Sequence, residues 1–397
     1  MPSTLPFRLP DYQGGSLCNL AASLAAELGG PDTGLPPLAA PWLAGIGRHR
    51  HVALILIDGM GSAQLEQLGP DSVLRRHQVA AVDAVFPPTT SASITSLMTG
   101  LAPAAHGLTG WHVLARRGLP KESIVTPLPL STRSPRAGAL MPVALAQILL
   151  TAPPLFDCLA RPARVLQPHY IAGSPYSLHH AGQAERLAWQ DTADAFGQLA
   201  AGFCAAAPAF HYLYLPQLDS LMHRLGTSAP AVKTLFDELD RSFAALFEAA
   251  DAHDAALLVT ADHGFVDTPR ERLISLDEDH PSLYAMLRAP LSGERRAAFC
   301  HVKPGMKAAF LAQAQLALGH ACHVVDSQLL LQHGAFGPGA HPELVLRAGD
   351  AALLAKDDWS LRDTLPDEKP HHLPGQHGGI SDAERLSPLI LRLPRKN

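Results

Sequence analysis

The chain contains few charged residues: Asp, Glu, Lys and Arg together make up 17% of its 397 residues, and the formal net charge is −5. Because nucleic-acid backbones are bound by clustered Lys and Arg side chains, the lack of any basic run argues against a nucleic-acid partner. No apolar stretch reaches the roughly 18 residues that a membrane-spanning helix needs, so we expect no membrane partner either.

Cysteine is also scarce. The cysteines are odd in number, none forms a C-x-x-C pair, and most lie in apolar segments, so we expect reduced, buried thiols. They are Cys18, Cys158, Cys204, Cys300 and Cys322. The N-terminal residues MPSTLPFRLPDYQGGS lack the basic start and the apolar segment of a signal peptide. Together these features predict a cytoplasmic protein.

Hydrophobic residues, in contrast, make up 47% of the chain, which is enough for a large core. Short apolar runs typical of buried strands occur at 51–57, 79–85, 210–215 and 255–260. Segments with helical character occur at 62–68, 91–98, 190–206 and 229–250. This alternation predicts an α/β fold with a mostly parallel central sheet and helices on both of its faces.

Residues 268–375 have a different pattern, with a predicted strand at 297–302, a helix at 306–318 and a strand at 322–326. We interpret this segment as a small inserted α/β cap. The predicted catalytic core then consists of residues 1–267 and 376–397.

Acidic and imidazole side chains follow three of the apolar runs. The candidate metal ligands are Asp58, Asp219, His223, Asp262, His263 and His377. Ligands of parallel sheets bind beyond the carboxyl ends of the strands, so we expect these side chains to meet at one edge. Oxygen and nitrogen ligands suit Zn²⁺ and also accept Mn²⁺ or Fe.

Each ligand also has a simpler interpretation. Asp58, which precedes a glycine after a strand, is typical of a turn, and His377 is typical of a loop. Asp219 and His223 have the spacing of an ordinary polar pair on a helix. Asp262 and His263 fit a turn with a neighbouring exposed histidine. The joint occurrence of all these patterns is what favours a metal site.

Thr90 lies in VFPPTTSASITSLMTG, directly before a helix-like run. One interpretation is an N-cap threonine. Another is a nucleophile, because a helix N-terminus favours a phosphoryl group and a neighbouring metal ion lowers the pKa of a hydroxyl. Local chemistry alone does not exclude the adjacent Thr89.

Several motifs together resemble the alkaline phosphatase superfamily, specifically its nucleotide pyrophosphatase/phosphodiesterase branch. The first are Asp58-Gly59, then F-P-P-T-T ending at Thr90, and then T-G-L-A-P-A-A-H-G over 99–107. The later ones are D-x-x-x-H at Asp219 and His223, D-H-G at 262–264 and the histidine His377. The similar segments are 51–112, 210–226, 255–267 and 374–392.

The resemblance implies two divalent metal ions, most simply Zn²⁺, with Mn²⁺ or Fe as alternatives. One ion is expected on Asp58, Asp262 and His263, facing Thr90 as the nucleophile. The other is expected on Asp219, His223 and His377. The implied reaction is hydrolysis of a phosphodiester or pyrophosphate through a phospho-threonine.

Two positions depart from the family pattern. Ser91 stands where nucleotide-cleaving members have a base-stacking aromatic residue, and Trp111, followed by His112, stands where they have a phosphate-binding Asn. We therefore name Trp111 and His112 as candidate substrate-binding residues, and expect a small-molecule phosphate ester as substrate. A phosphomonoesterase or phosphonate hydrolase with the same site is the alternative, and Arg116 and Arg117 are candidate cations that would fold over the pocket to bind the additional charge of a monoester. An inactive, metal-stabilised binding protein is the alternative of another class.

Overall fold

The computed structural model describes residues 5–119, 121–134, 141–369 and 371–395. Its centre is a seven-stranded sheet. In chain order the strands are His51–Ile57 (β1), Gln78–Asp83 (β2), Ala163–Pro168 (β3), Glu185–Trp189 (β4), Ala209–Leu215 (β5), Ala255–Thr260 (β6) and Leu386–Arg392 (β7). Their spatial order is β2-β7-β6-β1-β5-β3-β4, and β7 alone runs antiparallel to its neighbours within this sheet. The predicted mostly parallel α/β sheet is confirmed.

Strand β1 lies at the middle of the sheet and is buried along its whole length. Its side chains alternate between two hydrophobic clusters, as expected for a strand that is covered on both faces. Ile55 and Ile57 pack in one cluster with Phe236 and Phe243 of the long helix Pro230–Ala252. On the other face, Leu54 and Leu56 share a cluster with Leu97 and with residues of the N-terminal helix. The nearly continuous aliphatic run of β1 therefore follows from its two-sided burial.

Helices lie on both faces of the sheet. Those of the sheet region are Leu17–Glu27, Ser62–Leu68, Val73–Arg76, Thr90–Thr99, Pro103–His106, Pro142–Leu149, His169–Ala172, Pro175–Ala181, Thr192–Phe203, Gln217–Leu225, Pro230–Ala252 and Asp382–Arg385. The sequence prediction located four of the longer ones within a few residues. It missed the helix Leu17–Glu27, the strand β3 and the edge strand β4.

A second, four-stranded antiparallel sheet lies inside the predicted cap. Its strands, in spatial order, are Ser292–Gly293, Ala297–Cys300, Ala351–Ala355 and Cys322–Asp326. Its helices are Leu276–Asp279, Pro281–Tyr284, Lys307–Leu318, Ser327–Gln332 and Leu344–Arg347. The other strands of the described residues form two pairs and one three-stranded sheet. Leu273–Ser275 pairs with Ser360–Arg362, and Val266–Asp267 pairs with Gly375–Gln376. The three-stranded sheet consists of Val113–Ala115, Ser123–Thr126 and Ser131–Thr132.

The chain leaves the central sheet region and returns to it at neighbouring points. Val266 pairs with Gln376, and Asp267 pairs with Gly375. This pairing supports the proposed division of the chain at 267/268 and 375/376, which we keep as a proposal. The cap is also tied to the C-terminal segment by the buried Arg296, whose Nε and Nη2 donate to the two oxygens of Glu384 over 2.6 and 2.9 Å.

Three cysteines are buried, whereas Cys158 and Cys204 are exposed, so the expectation of buried thiols is wrong for these two. Cys158 ends a short turn of 3-10 helix, and Cys204 follows the last residue of a helix, which places both at the surface. Within the described residues, none of the helices has the length and hydrophobicity required to cross a bilayer.

Candidate active site

Three neighbouring strands of the central sheet end at the candidate site. β1, β5 and β6 are parallel and adjacent, so their carboxyl ends lie side by side. Asp58 directly follows β1, the helix carrying Asp219 and His223 follows β5, and Asp262 and His263 lie just beyond β6. The strand order, rather than the chain order, brings these residues to one edge, as the sequence analysis expected.

Asp58, Asp262 and His263 form one group of potential metal ligands. Each offers one ligand atom, and these atoms lie within 4.8 Å of one another. His263 Nε2 is 3.5 Å from Asp58 Oδ1 and 3.3 Å from Asp262 Oδ2. All three residues are buried. Gly59, at φ +73°, forms the turn after β1, and its N–H donates to Asp262 Oδ1 over 3.1 Å.

A second group contains Asp219, His263 and His377, again with ligand atoms within 4.8 Å of one another. The sequence analysis expected His223 in this group. His223 is close, because its Nε2 lies 3.4 Å from Asp219 Oδ1 and its ring centroid lies 5.0 Å from that of His377. The rings of His263 and His377 stack with centroids 3.8 Å apart. All six candidate ligands therefore lie together, and His263 stands between the two groups.

The three histidines are oriented in the same way. Each has its Nδ1 against a backbone carbonyl: His223 against Gly375 O at 2.9 Å, His263 against Gly264 O at 3.3 Å, and His377 against Pro88 O at 3.2 Å. A carbonyl oxygen only accepts, so each Nδ1 is the donor, and Nε2 is the nitrogen of the neutral ring that can bind a metal ion. This is the usual arrangement of histidines that bind metal through Nε2.

Three carboxylate oxygens at this edge are buried without a hydrogen-bond partner in the described structure. They are Asp58 Oδ1, Asp219 Oδ1 and Asp262 Oδ2. Burial, and then the charges of Asp262 and Asp219, raise the pKa of Asp58 well above its usual value. Burial of such groups is costly unless a positive charge compensates them.

A divalent cation fits this donor set. Two ligands bound at about 2.0–2.1 Å to a tetrahedral ion lie roughly 3.3 Å apart. The separations between each unpartnered oxygen and the nearest histidine Nε2 are 3.3 to 3.5 Å. Carboxylate and imidazole ligands are those that Zn²⁺, Mn²⁺ and Fe accept.

The side chains of the adjacent Thr89 and Thr90 have different hydrogen-bond partners. Thr90 is the first residue of the helix Thr90–Thr99, and Thr89 is its N-cap residue, although neither side chain caps the helix. The N-cap interpretation of Thr90 is therefore wrong. Thr90 Oγ1 lies 3.1 Å from His263 Nε2, whereas the Thr89 hydroxyl donates to Glu294 Oε1. Only Thr90 faces the group of Asp58, Asp262 and His263.

A cavity of about 480 Å³ opens above Thr90 and is lined by both sheet and cap residues. Trp111 and His112 line it, as the sequence analysis expected of substrate-binding residues. Trp111 is 41% exposed, and its backbone N–H donates to Glu294 Oε1 over 2.6 Å. Burial lowers the pKa of His112 to about 3, so this imidazole is neutral at physiological pH.

Arg116 and Arg117 do not line the cavity among the described residues; their backbone N–H groups donate to Glu343. The expectation that these two arginines fold over the pocket is therefore wrong. Other cationic side chains of the lining were missed by sequence reasoning: Arg133, Arg295, Arg362 and Lys369. Arg295 could have been noticed, since it stands in GERRAAFC, where charged residues directly precede a buried strand.

Glu294 and Tyr214 were also missed. Burial raises the pKa of Glu294 to about 7, although the hydrogen bonds from Thr89 and Trp111 act in the opposite direction. Tyr214 lies on β5, and its hydroxyl donates to Asp58 Oδ2 over 2.5 Å. A tyrosine in a buried apolar strand needs a hydrogen-bond partner, and this was the available signal.

Comparisons with known proteins show the family and the fold. The profile of a family described as type I phosphodiesterase / nucleotide pyrophosphatase matches residues 52–380. The structure of murine ectonucleotide pyrophosphatase/phosphodiesterase 5 is similar with a TM-score of 0.63 at 17% identity, covering 86% of this chain and 88% of that chain. A second structure of that murine protein, an inactive threonine-to-alanine variant in complex with AMP, has a TM-score of 0.62 at 17% identity and covers 86% and 87%.

Phosphonoacetate hydrolase from Sinorhizobium meliloti 1021, in complex with phosphonoacetate, is similar with a TM-score of 0.61 at 15% identity, covering 88% of this chain and 91% of that chain. No curated protein matches the chain. At such identities the structural likeness shows the fold, while the profile covers most of the sequence. The chain belongs to the type I phosphodiesterase/nucleotide pyrophosphatase family.

Proposed function

We propose that the protein is a two-metal hydrolase of small phosphodiesters or pyrophosphates that acts through a phospho-threonine on Thr90. The observation that carries this proposal is the position of the Thr90 hydroxyl, 3.1 Å from His263 Nε2 and beside three buried carboxylates with unpartnered oxygens. Family membership and the donor set support it.

The metal ligands are proposed as the sequence predicts them. Asp58, Asp262 and His263 would hold one ion next to Thr90. Asp219, His223 and His377 would hold the other, and the place of His263 between both groups fits ions that lie close together. When bound, the two cations would lower the pKa of a nearby hydroxyl and offset the negative charge that develops around phosphorus.

Thr90 performs the first displacement in this scheme. Its hydroxyl proton is released to solvent, Oγ1 forms a bond to phosphorus, and the bond between phosphorus and the leaving oxygen breaks. Water then attacks phosphorus from the opposite side, the bond from phosphorus to Oγ1 breaks, and Thr90 regains a proton. Two inversions give net retention at phosphorus. The inactive threonine-to-alanine variant of the murine relative is consistent with an essential threonine in that protein.

Diesters are favoured over monoesters by the surroundings of Thr90. A monoester carries one more negative charge than a diester, and Glu294, bonded to the adjacent Thr89 and with a pKa of about 7, adds partial negative charge at neutral pH. Within the described residues, no Lys or Arg side chain forms a hydrogen bond with the Thr90 hydroxyl. Three of the four cationic side chains of the cavity, Arg295, Arg362 and Lys369, belong to the cap instead, which favours a phosphonate hydrolase with a charged substituent as the second candidate.

Hydrolysis of bis-p-nitrophenyl phosphate and p-nitrophenyl phosphate tests this proposal. The protein is measured as purified, after chelation, and after reloading with Zn²⁺ or Mn²⁺. We expect metal-dependent turnover with the diester preferred. Faster turnover of the monoester would support a phosphomonoesterase instead. If neither ester is hydrolysed with any metal, and phosphonoacetate is not hydrolysed either, the inactive, metal-stabilised binding protein replaces the enzyme.

A further inference from the structure

Arg295 is a half-buried cation in the wall of the cavity that Thr90 and His377 also line. In the described structure no carboxylate lies within ion-pair distance of its guanidinium group. Its polar contacts are with His371: Nη1 donates to the backbone carbonyl over 3.2 Å, and Nη2 lies 2.9 Å from the ring Nε2. Since guanidinium has five N–H donors, three remain available.

The neighbouring Arg133 also lines the cavity, but its positive charge is balanced by carboxylates. Its Nη1 is 2.8 Å from Asp363 Oδ1, and its Nε and Nη2 donate to Glu368 over 2.8 and 2.9 Å. Both carboxylates are thereby paired with Arg133, and Asp363 also accepts from the backbone of Leu291. The charge of Arg133 is therefore neutralised by ion pairs within the protein, whereas Arg295 forms no such pair in the described structure.

Arg362 adds a second positive charge on the same side. Its Nε donates to Ser275 Oγ over 2.6 Å, and its Nη2 is 3.7 Å from Glu278, a carboxylate whose side chain is 58% exposed. Burial, followed by the charges of Arg362 and Arg133, lowers the pKa of Arg295 to about 10, although the charges of Glu294 and Glu368 act in the opposite direction, so Arg295 is still charged at neutral pH. A charge buried in this way is costly unless a partner compensates it.

We propose that this wall is a second anion subsite, in which Arg295, assisted by Arg362, binds a carboxylate or a second phosphoryl group carried by the substrate. This inference rests on the proposed function for the position of the reacting phosphorus at Thr90. The planar fork of guanidinium fits both oxyanions, and a charge-assisted pair of this kind contributes specificity as well as affinity. The substrate would then be a phosphorus compound with a second anionic group on the same small molecule.

Three probes that differ only in that second group test the subsite: methylphosphonate, phosphonoacetate and methylenediphosphonate. Their dissociation constants are measured by calorimetry on the full-length, metal-loaded Thr90→Ala variant, which prevents turnover. Phosphonoacetate and methylenediphosphonate distinguish a carboxylate from a phosphoryl group. We expect at least one of them to bind about 10- to 100-fold more tightly than methylphosphonate, the range of a hydrogen-bonded charge pair.

The preference is then measured after adding Arg295→Gln, Arg295→Lys or Arg288→Gln. Arg295→Gln should abolish the preference while leaving methylphosphonate binding unchanged, and Arg295→Lys should restore part of it. Arg288 is an exposed arginine of the cap, paired with Glu122 and outside the cavity lining, so Arg288→Gln removes the same charge without removing the subsite. It also controls for chelation of the metal by the probes.

A preference that survives Arg295→Gln, or that falls equally in Arg288→Gln, overturns the subsite, as does the lack of any preference in the Thr90→Ala protein. These results are independent of the esterase assay. Metal-dependent hydrolysis without an Arg295-dependent preference removes the subsite alone. An Arg295-dependent preference in a protein that hydrolyses no ester removes the proposed reaction and keeps the anion site.

Discussion

Tyr214 donates a hydrogen bond from its phenol to Asp58 Oδ2 over 2.5 Å, while the other oxygen of Asp58 faces His263. Both residues are buried, and they lie on or directly beyond adjacent strands of the central sheet. The bond holds the carboxylate in one orientation, with Oδ1 toward the candidate metal site.

Tyr214→Phe should therefore weaken metal binding or activity by about 10- to 100-fold, the usual effect of removing a group that orients a metal ligand. Tyr212→Phe is the matched control, because Tyr212 is also buried on β5 but its hydroxyl has no hydrogen-bond partner in the described structure. Metal titration and kcat/KM should show the effect in Tyr214→Phe alone. Equal behaviour of the two variants would contradict a role for the bond.

Thr90→Ala should lower kcat by about 10³-fold or more while retaining bound metal, because it removes the proposed nucleophile. Thr89→Ala should lose less than about tenfold, since the Thr89 hydroxyl is bonded to Glu294 and faces away from the ligand group. Mass spectrometry of acid-quenched protein should find on Thr90, during turnover of a diester, the phosphoryl group with its remaining ester substituent. If Thr89→Ala is the inactive variant, the nucleophile has been assigned to the wrong residue.

Removal of single carboxylates should remove single ions. We expect two metal ions per wild-type chain and about one each for Asp262→Asn and Asp219→Asn, because each substitution affects one of the two groups. Each ion should also stabilise the fold, by about 3 kcal/mol at a free concentration 100-fold above its dissociation constant. Elemental analysis and thermal unfolding measure these effects.

Asp237→Asn is the control for those variants, because Asp237 is a surface residue paired with Lys233. It should leave metal content and the metal-dependent rise in melting temperature unchanged. Wild-type protein that binds no metal, or that melts at the same temperature with and without it, would remove the basis of the two-metal proposal.

Acid should destabilise the fold through buried histidines away from the metal site. Burial, followed by the charges of His51 and Arg164, lowers the pKa of His211 to about 3. The unfolded chain, with an ordinary histidine pKa of about 6.5, binds a proton that the folded chain excludes. The contribution of neutral His211 to the free energy of unfolding is therefore fully present above about pH 6.5, and it is lost as the pH falls toward 3.

We expect His211 to account for roughly 1–2 kcal/mol of unfolding free energy lost between about pH 7.5 and about pH 5. Urea unfolding of chelated protein at the two pH values measures this loss. His211→Asn should reduce the pH dependence, and the same substitution at the exposed His169 should not. An unchanged dependence in His211→Asn would show that the imidazole accepts its proton in the folded state.

The strands of the central sheet could be predicted from the sequence where they are buried on both faces. The runs 51–57 and 255–260 are mostly aliphatic, and 210–215 is mostly aromatic and aliphatic; they form β1, β6 and β5 with almost the same bounds. The edge strand β4 has mostly exposed or half-buried residues, so its pattern lacks that signal. The helix Leu17–Glu27 is buried over most of its length, so no polar face marks its periodicity.

The candidate site was also only partly predictable from the sequence. Which residues bear metal-binding chemistry could be read from the sequence, because Asp-Gly, D-x-x-x-H and D-H-G stand at the ends of apolar runs. That Thr90 rather than Thr89 faces the ligands depends on how the helix Thr90–Thr99 sits against the sheet and on Glu294, which is more than 200 residues away in the chain.

The sequence by itself determined the fold class, the elements of the sheet centre and the set of oxygen and nitrogen donors, since these depend on local patterns of burial and residue type. Only the tertiary structure decided that His263 lies between two groups of candidate ligands and that Tyr214 forms a hydrogen bond with Asp58. It also decided that Arg295 lines the cavity with no carboxylate of the described residues at ion-pair distance. Each of these contacts joins segments far apart in the chain, and their meeting depends on the spatial order of the strands and on the position of the cap, which local patterns do not encode.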